Sequence, residues 1–281
     1  MRRSCILFRW FARLTASSTA FALLAGCASF PAGSTAFGLL GDTPYNDDEV
    51  RRLDSMIEDM NAGELAFVVH LGDIGNASQS CTDAGLEARK KQFSRIRAPF
   101  ILLPGDNEWS DCRQPLERLA RWRAFFCHAE KIPVERQPGE YCEHIRWRAA
   151  GWVFVALNVQ GSNNNVRHAE HAQRMEAVYA WLEEAAKLAA ASNEGLAVLM
   201  QANPFVVVPR DGFAGLRERL ARLPERLRYN VVLIHGDTHL FHDDEPLPGL
   251  RRIEVFGSPF VSWIPSAIVD GRLEIRRPRL Y

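Results

Sequence analysis

Five short polar clusters recur along the 281 residues, each at the end of an apolar run. They are Gly41-Asp42-Thr43-Pro44-Tyr45, Gly72-Asp73-Ile74-Gly75-Asn76, Gly105-Asp106-Asn107-Glu108-Trp109, Gln201-Ala202-Asn203-Pro204 and His235-Gly236-Asp237-Thr238-His239. Four of the five place Asp directly after Gly. A single Gly-Asp pair is ordinary turn chemistry. Four of them, with a histidine beside the last, form a set of hard oxygen donors plus one nitrogen donor. If they converge, carboxylates ~5 Å apart repel by roughly 3 kcal/mol per pair at an effective dielectric near 20. Bound cations or protonation must offset that repulsion. Carboxylate and amide oxygens suit Mg²⁺, Mn²⁺ or Ca²⁺, whereas imidazole suits zinc and iron. Hard divalent cations are therefore the expected cofactors, Mg²⁺ or Mn²⁺ ahead of Ca²⁺.

Convergence needs a scaffold that brings distant segments to one rim. In open α/β sheets the C-terminal ends of strands provide it. Apolar runs at residues 34–41, 65–71, 100–103, 152–157, 196–200 and 231–234 read as buried strands. Helical spacing covers residues 47–61, with Val50, Leu53, Ile57 and Met60 on one face, and 169–191, with Met175, Val178, Leu182 and Leu188 inward. Residues 87–96 and 115–128 are also helical. Beyond Leu240 the pattern changes to short strands and turns, and Asp270-Gly271 signals a hairpin between 266–269 and 272–276. Alternating strands and helices followed by hairpins predict an α/β core finished by an antiparallel sheet. No linker interrupts residues 34–281, which read as one domain.

Residues 1–26 carry Arg2, Arg3, Arg9 and Arg13 and no acid, ahead of an apolar stretch too short to span a bilayer comfortably. That is the layout of a bacterial secretory signal. Its end, Leu24-Ala25-Gly26-Cys27, resembles the lipobox of bacterial lipoproteins. The resemblance implies cleavage before Cys27, lipidation of its thiol and a periplasm-facing, lipid-anchored protein. Ala28, rather than Asp, favours the outer membrane. Residues 27–33 then serve as a tether. Export leaves Cys81, Cys112, Cys127 and Cys142 in an oxidising compartment, which predicts two disulfides. Three connectivities are open, with Cys81–Cys112 and Cys127–Cys142 favoured and buried free thiols as the alternative. The whole chain balances 34 basic against 34 acidic side chains, which argues against a nucleic-acid partner. No P-loop, GxGxxG or GxSxG motif occurs.

In order and spacing, the five clusters resemble the motif series of the calcineurin-like metallophosphoesterase superfamily over nearly all of residues 34–281. The resemblance implies an α/β, four-layer fold of two packed mixed β-sheets flanked by helices, with two divalent cations on the strand-end loops. It implies hydrolysis of a small phosphorylated substrate: a phosphomonoester, phosphodiester or pyrophosphate. Asp73 matches the family's bridging aspartate, Asp42 its first-motif aspartate and His239 the last histidine of Gly-His-x-His. Asp42 and His239 would then complete one ion site, and Asp106 and Asp237 the other. The departures are consistent in kind. Pro44 stands where the first motif has His, and Asn76 where purple acid phosphatases have Tyr. Asp106 replaces an Asn ligand, Asn107 the His that assists the leaving group, and Asp237 the first His of the last motif. The fourth cluster lacks a His ligand. Oxygen donors have thus replaced nitrogen donors, with Asn76, Gln201 and Asn203 as further candidates. Asn107 can donate a hydrogen bond but no proton, so Glu108 and His235 are the candidate acids. Tyr45 would bind a phosphoryl oxygen or orient a ligand. The loss of family histidines also admits another class of protein: a degraded site acting as a metal-stabilised binding or envelope-interaction lipoprotein.

Overall fold

The computed structural model describes residues 30–206, 208–228 and 230–281. The leader and the first three residues of the tether, Cys27 among them, lie outside the described residues. The first half of the chain runs β1 (Thr35–Leu40), α1 (Asp47–Ala62), β2 (Phe67–His70), α2 (Ala77–Ser80), α3 (Asp83–Phe93), β3 (Phe100–Leu102) and α4 (Pro115–Phe126). A second series follows: β4 (Glu135–Arg136), β5 (Ile145–Ala149), β6 (Trp152–Ala156), α5 (Gly161–Asn164), α6 (Glu170–Ser192) and β7 (Gly195–Leu199). It continues with α7 (Ala214–Leu220), α8 (Leu223–Arg226) and β8 (Val231–His235). The chain closes with β9 (His242–Leu247), β10 (Leu250–Glu254), β11 (Ser262–Val269), β12 (Arg272–Ile275) and β13 (Arg279–Leu280).

These strands build two mixed sheets. One has the order β12-β11-β1-β2-β3, with β13 also pairing β11; the other is β4-β5-β6-β7-β8-β10-β9. Within the first, β1, β2 and β3 are parallel and β11 runs antiparallel to β1. Within the second, β6, β7, β8 and β10 are parallel, flanked by antiparallel β5 and β9. Parallel strands are buried on both faces and read as continuous apolar runs, as in Phe67-Val68-Val69 of β2. The alternate residues of that strand enter different layers. Phe67 and Val69 join Phe37, Phe154, Leu199 and Ile253 between the two sheets. Val68 faces Leu53, Ile57 and Phe93 on the helical layer formed by α1, α3 and α4. On the far side, α6, α7 and α8 cover the second sheet through Met175, Val178, Leu182, Leu216 and Leu223. The result is the expected four-layer α/β architecture of two packed mixed sheets flanked by helices.

One expectation about strand direction needs correction. Antiparallel pairing does not wait for residue 240, because β5 and β6 already form a hairpin. Both cysteine pairs form as favoured, Cys81–Cys112 and Cys127–Cys142, with Cα separations of 5.5 and 6.0 Å. The first ties the turn after α2 to the loop that follows β3.

Candidate metal centre

β1, β2 and β8 end on the same rim, and their loops present Asp42, Asp73 and Asp237-Thr238-His239. The loop after β3 adds Asp106. Four of these five candidate ligands adopt left-handed backbone: Asp42 (φ 50°), Asp73 (φ 57°), Asp237 (φ 83°) and His239 (φ 63°). Non-glycine residues avoid that region, and such strain concentrates at functional sites.

The sequence supplies the close packing that brings the carboxylates together. Asp42 accepts hydrogen bonds from the Asp237 amide at 3.0 and 3.1 Å and from Gln201 Nε2 at 3.3 Å. A Cβ on Gly236 would lie 2.0 Å from Asp42 Oδ2, so only glycine admits this approach. Gly161 sits between the other two acids. A Cβ there would meet Asp237 Oδ1 at 2.4 Å and Asp106 Oδ2 at 2.7 Å. Asp73 lies near enough to Asp106 for the two carboxyls to perturb each other, and it accepts a hydrogen bond from the Asn107 amide at 3.1 Å. His239 Nδ1 donates to the Ser258 carbonyl at 2.7 Å. That bond fixes the tautomer and leaves Nε2 as an acceptor, 3.9 Å from Asp42 Oδ1. Ser258 is in turn held by Glu49, the buried carboxylate of the α1 capping box with Asn46.

The electrostatics match the crowding. Burial, then the Asp237 and Asp106 charges, holds the Asp42 carboxyl well above the usual carboxylate range. Burial raises Asp73 likewise, with Asp106, Glu108 and Asp42 adding to it. Burial and the Asp111 charge raise Asp106. Burial pushes Asp237 up to about 7, helped by Asp106 and Glu254. Among the described residues, none of the four is paired with Lys or Arg. Buried carboxylates without a counter-charge bind either protons or cations. The donors are spread, however. Among the described residues, the trio of His, Cys, Asp or Glu ligand atoms lying within 4.8 Å of one another is Cys127, Cys142 and Glu143. Those thiols are joined as a disulfide, and that carboxylate pairs with Arg123. The aspartate cluster is thus more open than a closed site for one ion, and its oxygen-rich donor set fits hard divalent cations shared between carboxylates.

Several candidates occupy other places than expected. Asn76 caps α2, accepting from Ser78 Oγ and the Gln79 amide and donating to the Tyr45 carbonyl, so its amide is spent locally. Gln201 Oε1 accepts from the Gly161 amide at 2.6 Å, and its nitrogen faces Asp42. Asn203 supports the last loop: its backbone N–H donates to Asp237 Oδ2 at 2.9 Å, while its side-chain oxygen takes the Phe205 amide. None of these three presents a free oxygen to the cluster. Glu108 is fully buried and accepts from the backbone amides of Gly105, Ile74 and Asp73 at 2.6, 2.5 and 3.2 Å. It clamps two site loops together, which does not suit a leaving-group acid. His235 is also fully buried, with Nδ1 on the Gly236 carbonyl and Nε2 4.0 Å from Glu254, and burial pushes it down to about 3. It lies behind the site and stays neutral at neutral pH, with its one ring proton on Nδ1 held by the Gly236 carbonyl.

Tyr45 and Asn107 do enter the cluster. Tyr45 Oη donates to Asp73 Oδ2 at 2.7 Å and lies 3.3 Å from His239 Nε2. Asn107 Nδ2 donates to Tyr45 Oη and to the Gly75 carbonyl, both at 3.0 Å. Burial and the Asp73 charge raise the Tyr45 phenol, so it keeps its proton. Residues 162–165 all adopt left-handed backbone. This turn places Ser162 Oγ 2.8 Å from Asp106 Oδ2 and 2.7 Å from Asp111 Oδ1. It is held from behind by Arg174, fully buried in α6, which donates to the Asn164 side chain and carbonyl. Glu254, at the end of β10, supports the last loop by accepting from the Thr238 amide, the Thr238 hydroxyl and His242 Nδ1. Glu254 did not stand out in the sequence, because β10 (LRRIE) already carries Arg251 and Arg252 and so gives no apolar run for an acid to end.

No protein-family model matches the chain, and no curated protein matches it in sequence. Solved structures do resemble it. One is a dimetal phosphatase from Danio rerio, with TM-score 0.63 and 14% identity over 87% of this chain and 96% of that one. Another is GAP50, the anchor in the inner membrane complex of Plasmodium, with TM-score 0.59 and 10% identity over 86% and 84%. A third is a purple acid phosphatase from yellow lupin, with TM-score 0.52 and 12% identity over 88% of this chain and 52% of that one. At 10–14% identity the likeness establishes the architecture: this chain has the calcineurin-like metallophosphoesterase fold.

Proposed function

We propose that this chain is a metal-dependent phosphoester hydrolase with a carboxylate-rich site for two divalent cations, Mg²⁺ or Mn²⁺. The observation that carries the reading is the convergence of three buried aspartates, the partly buried Asp237 and His239 Nε2, with no ion pair to Lys or Arg among the described residues. Asp42, Asp73, Asp106, Asp237 and His239 would hold the ions. When bound, the ions supply charge stabilisation for the transferring phosphoryl group and make water nucleophilic at neutral pH. The remaining chemistry belongs to the chain. Tyr45 Oη carries a proton beside Asp73 and can donate it as a hydrogen bond to a phosphoryl oxygen. Asn107 orients that hydroxyl but has no proton to transfer. General acid catalysis is worth about 10²- to 10⁴-fold, so turnover should favour good leaving groups such as aryl esters and pyrophosphates. As the basic leader and lipobox-like tetrapeptide suggest, the enzyme works exported and lipid-anchored at Cys27, facing the periplasm.

The missing acid favours one other reading, a site that binds metal for structural ends in an envelope-interaction protein. Turnover separates the two. Protein stripped with EDTA and supplied with Mn²⁺ is expected to hydrolyse bis-p-nitrophenyl phosphate or p-nitrophenyl phosphate, and Asp73→Asn is expected to abolish that turnover. Metal uptake without hydrolysis of either ester, by wild type across Mg²⁺, Mn²⁺ and Ca²⁺, would defeat the hydrolase reading.

A further inference from the structure

Large apolar side chains are sparse on this surface, and their distribution is uneven. Among the described residues five are exposed: Leu116, Val206, Leu240, Phe260 and Leu280. The first four lie on segments that carry the site. Leu240 follows His239 directly, Phe260 is two residues from Ser258, Val206 three from Asn203, and Leu116 five from Asp111. Scattered apolar residues are normal, whereas a contiguous exposed patch marks a binding surface. Here Phe260 belongs to a partly exposed aromatic group, and Leu240 adjoins that group in the chain through Phe241. Phe260 packs tilted against Phe256 with ring centroids 5.2 Å apart, and Phe256 against Phe241 at 5.8 Å. Leu240 is 54% exposed and Phe260 43%.

The patch is fixed to the candidate metal centre by backbone and side-chain bonds. Ser258 N donates to the Asp42 carbonyl at 2.8 Å, Gly257 N to the His239 carbonyl at 3.3 Å and Phe260 N to the Gly257 carbonyl at 2.9 Å. His239 Nδ1 closes the ring through the Ser258 carbonyl. A ligand whose phosphate reaches the aspartate cluster therefore has an apolar surface at its edge, continuous with the loop that presents His239.

We propose that this apolar rim receives the alkyl chain of an amphiphilic phosphoester, which makes the substrate class of the site a phosphate ester with a long hydrocarbon tail. This rests on the hydrolase reading for its chemistry but has its own readout, equilibrium binding. A fully buried methylene is worth a factor of about four in affinity, so one-sided cover by the rim is worth about two. From butyl phosphate to dodecyl phosphate, eight methylenes should tighten binding about 250-fold.

The test uses full-length protein with Mn²⁺ and titrates monomeric butyl, octyl and dodecyl phosphate by calorimetry, below their micellar concentrations. The wild type should show the graded gain. Leu240→Ser with Phe260→Ser should flatten it to within about threefold. Leu280→Ser, an equally exposed side chain on β13, should retain the wild-type gradient and controls for loss of surface apolarity in general. Equal affinity for all three chain lengths in wild type would overturn the proposal. So would a gradient that survives the double substitution, or an equal gain for dodecyltrimethylammonium, which would indicate a general apolar or membrane-docking surface. A chain-length gradient without any hydrolysis would count against the hydrolase reading and leave the amphiphile assignment standing.

Discussion

Metal-free protein should lose stability as pH rises through neutrality. Burial pushes Asp237 from its ordinary 3.8, and Glu108 from its ordinary 4.5, to about 7 in the folded chain. Between those limits the folded state holds protons that the unfolded state has released. Stability falls with pH wherever the native state binds more protons, so the loss runs from about pH 4.5 to pH 7. For either group alone, going from pH 5 to pH 8 costs about 2 to 3 kcal/mol. The two are not independent, and together they cost about 3 to 5 kcal/mol. Asp42, Asp73 and Asp106 are raised as well and act in the same direction. For a domain of this size the melting temperature should drop by about 10 °C. Mn²⁺ should reverse the trend, since cations replace the protons. Free ion at a hundred times its dissociation constant adds about 2.7 kcal/mol per site, and the gain should be larger at pH 8 than at pH 5, where protons compete. Thermal melts followed by circular dichroism, on EDTA-treated and Mn²⁺-supplemented samples across this range, read both effects. A metal-free melting temperature that is flat or rises from pH 5 to pH 8 would refute the reasoning.

Other substitutions probe the scaffold of the site. Gly161→Ala drives a methyl between Asp106 and Asp237 and should weaken Mn²⁺ binding at least tenfold while changing the metal-free melt by only a few degrees, as calorimetry and melts would show. Replacing Cys81 and Cys112 by Ser, or Cys127 and Cys142 by Ser, should cost about 3 to 4 kcal/mol in either case from loop entropy. Only the first pair brackets the loop bearing Asp106, Asn107 and Glu108, so only its removal should also weaken Mn²⁺ binding in a direct titration. Asn107→His places a titratable proton beside Tyr45 and should raise turnover of alkyl esters relative to aryl esters by about tenfold or more, read as a ratio of kcat values.

The strands that position the site were legible because parallel pairing buries both faces and leaves uninterrupted apolar runs. The helices α1 and α6 were legible from their spacing. The candidate ligands were legible as four acids and a histidine placed where those runs stop. What escaped was set by contacts distant in sequence. The β5–β6 hairpin turns on Ala150-Gly151, both at positive φ. That turn lacks the Asn-Gly or Asp-Gly signal, and Arg146 and Arg148 disguise the strand before it. Asn76, Gln201 and Asn203 looked like oxygen donors because their composition shows an amide, while the backbone N–H that claims each oxygen depends on the fold. Glu108 looked like an acid for the same reason. Its three backbone partners come from loops about thirty residues apart in the chain as well as its own. Glu254 meets Thr238 only because β10 and β8 lie side by side.

The account stands on two cations sharing the aspartate cluster. The most direct measurement is an equilibrium titration of EDTA-treated protein with Mn²⁺ at neutral pH, counting bound ions per chain by electron paramagnetic resonance. The wild type should bind two, with the spin coupling of ions that share a carboxylate, and Asp73→Asn should lose at least one along with that coupling. Fewer than two ions in wild type, or two uncoupled ions whose number is indifferent to Asp73, would contradict it.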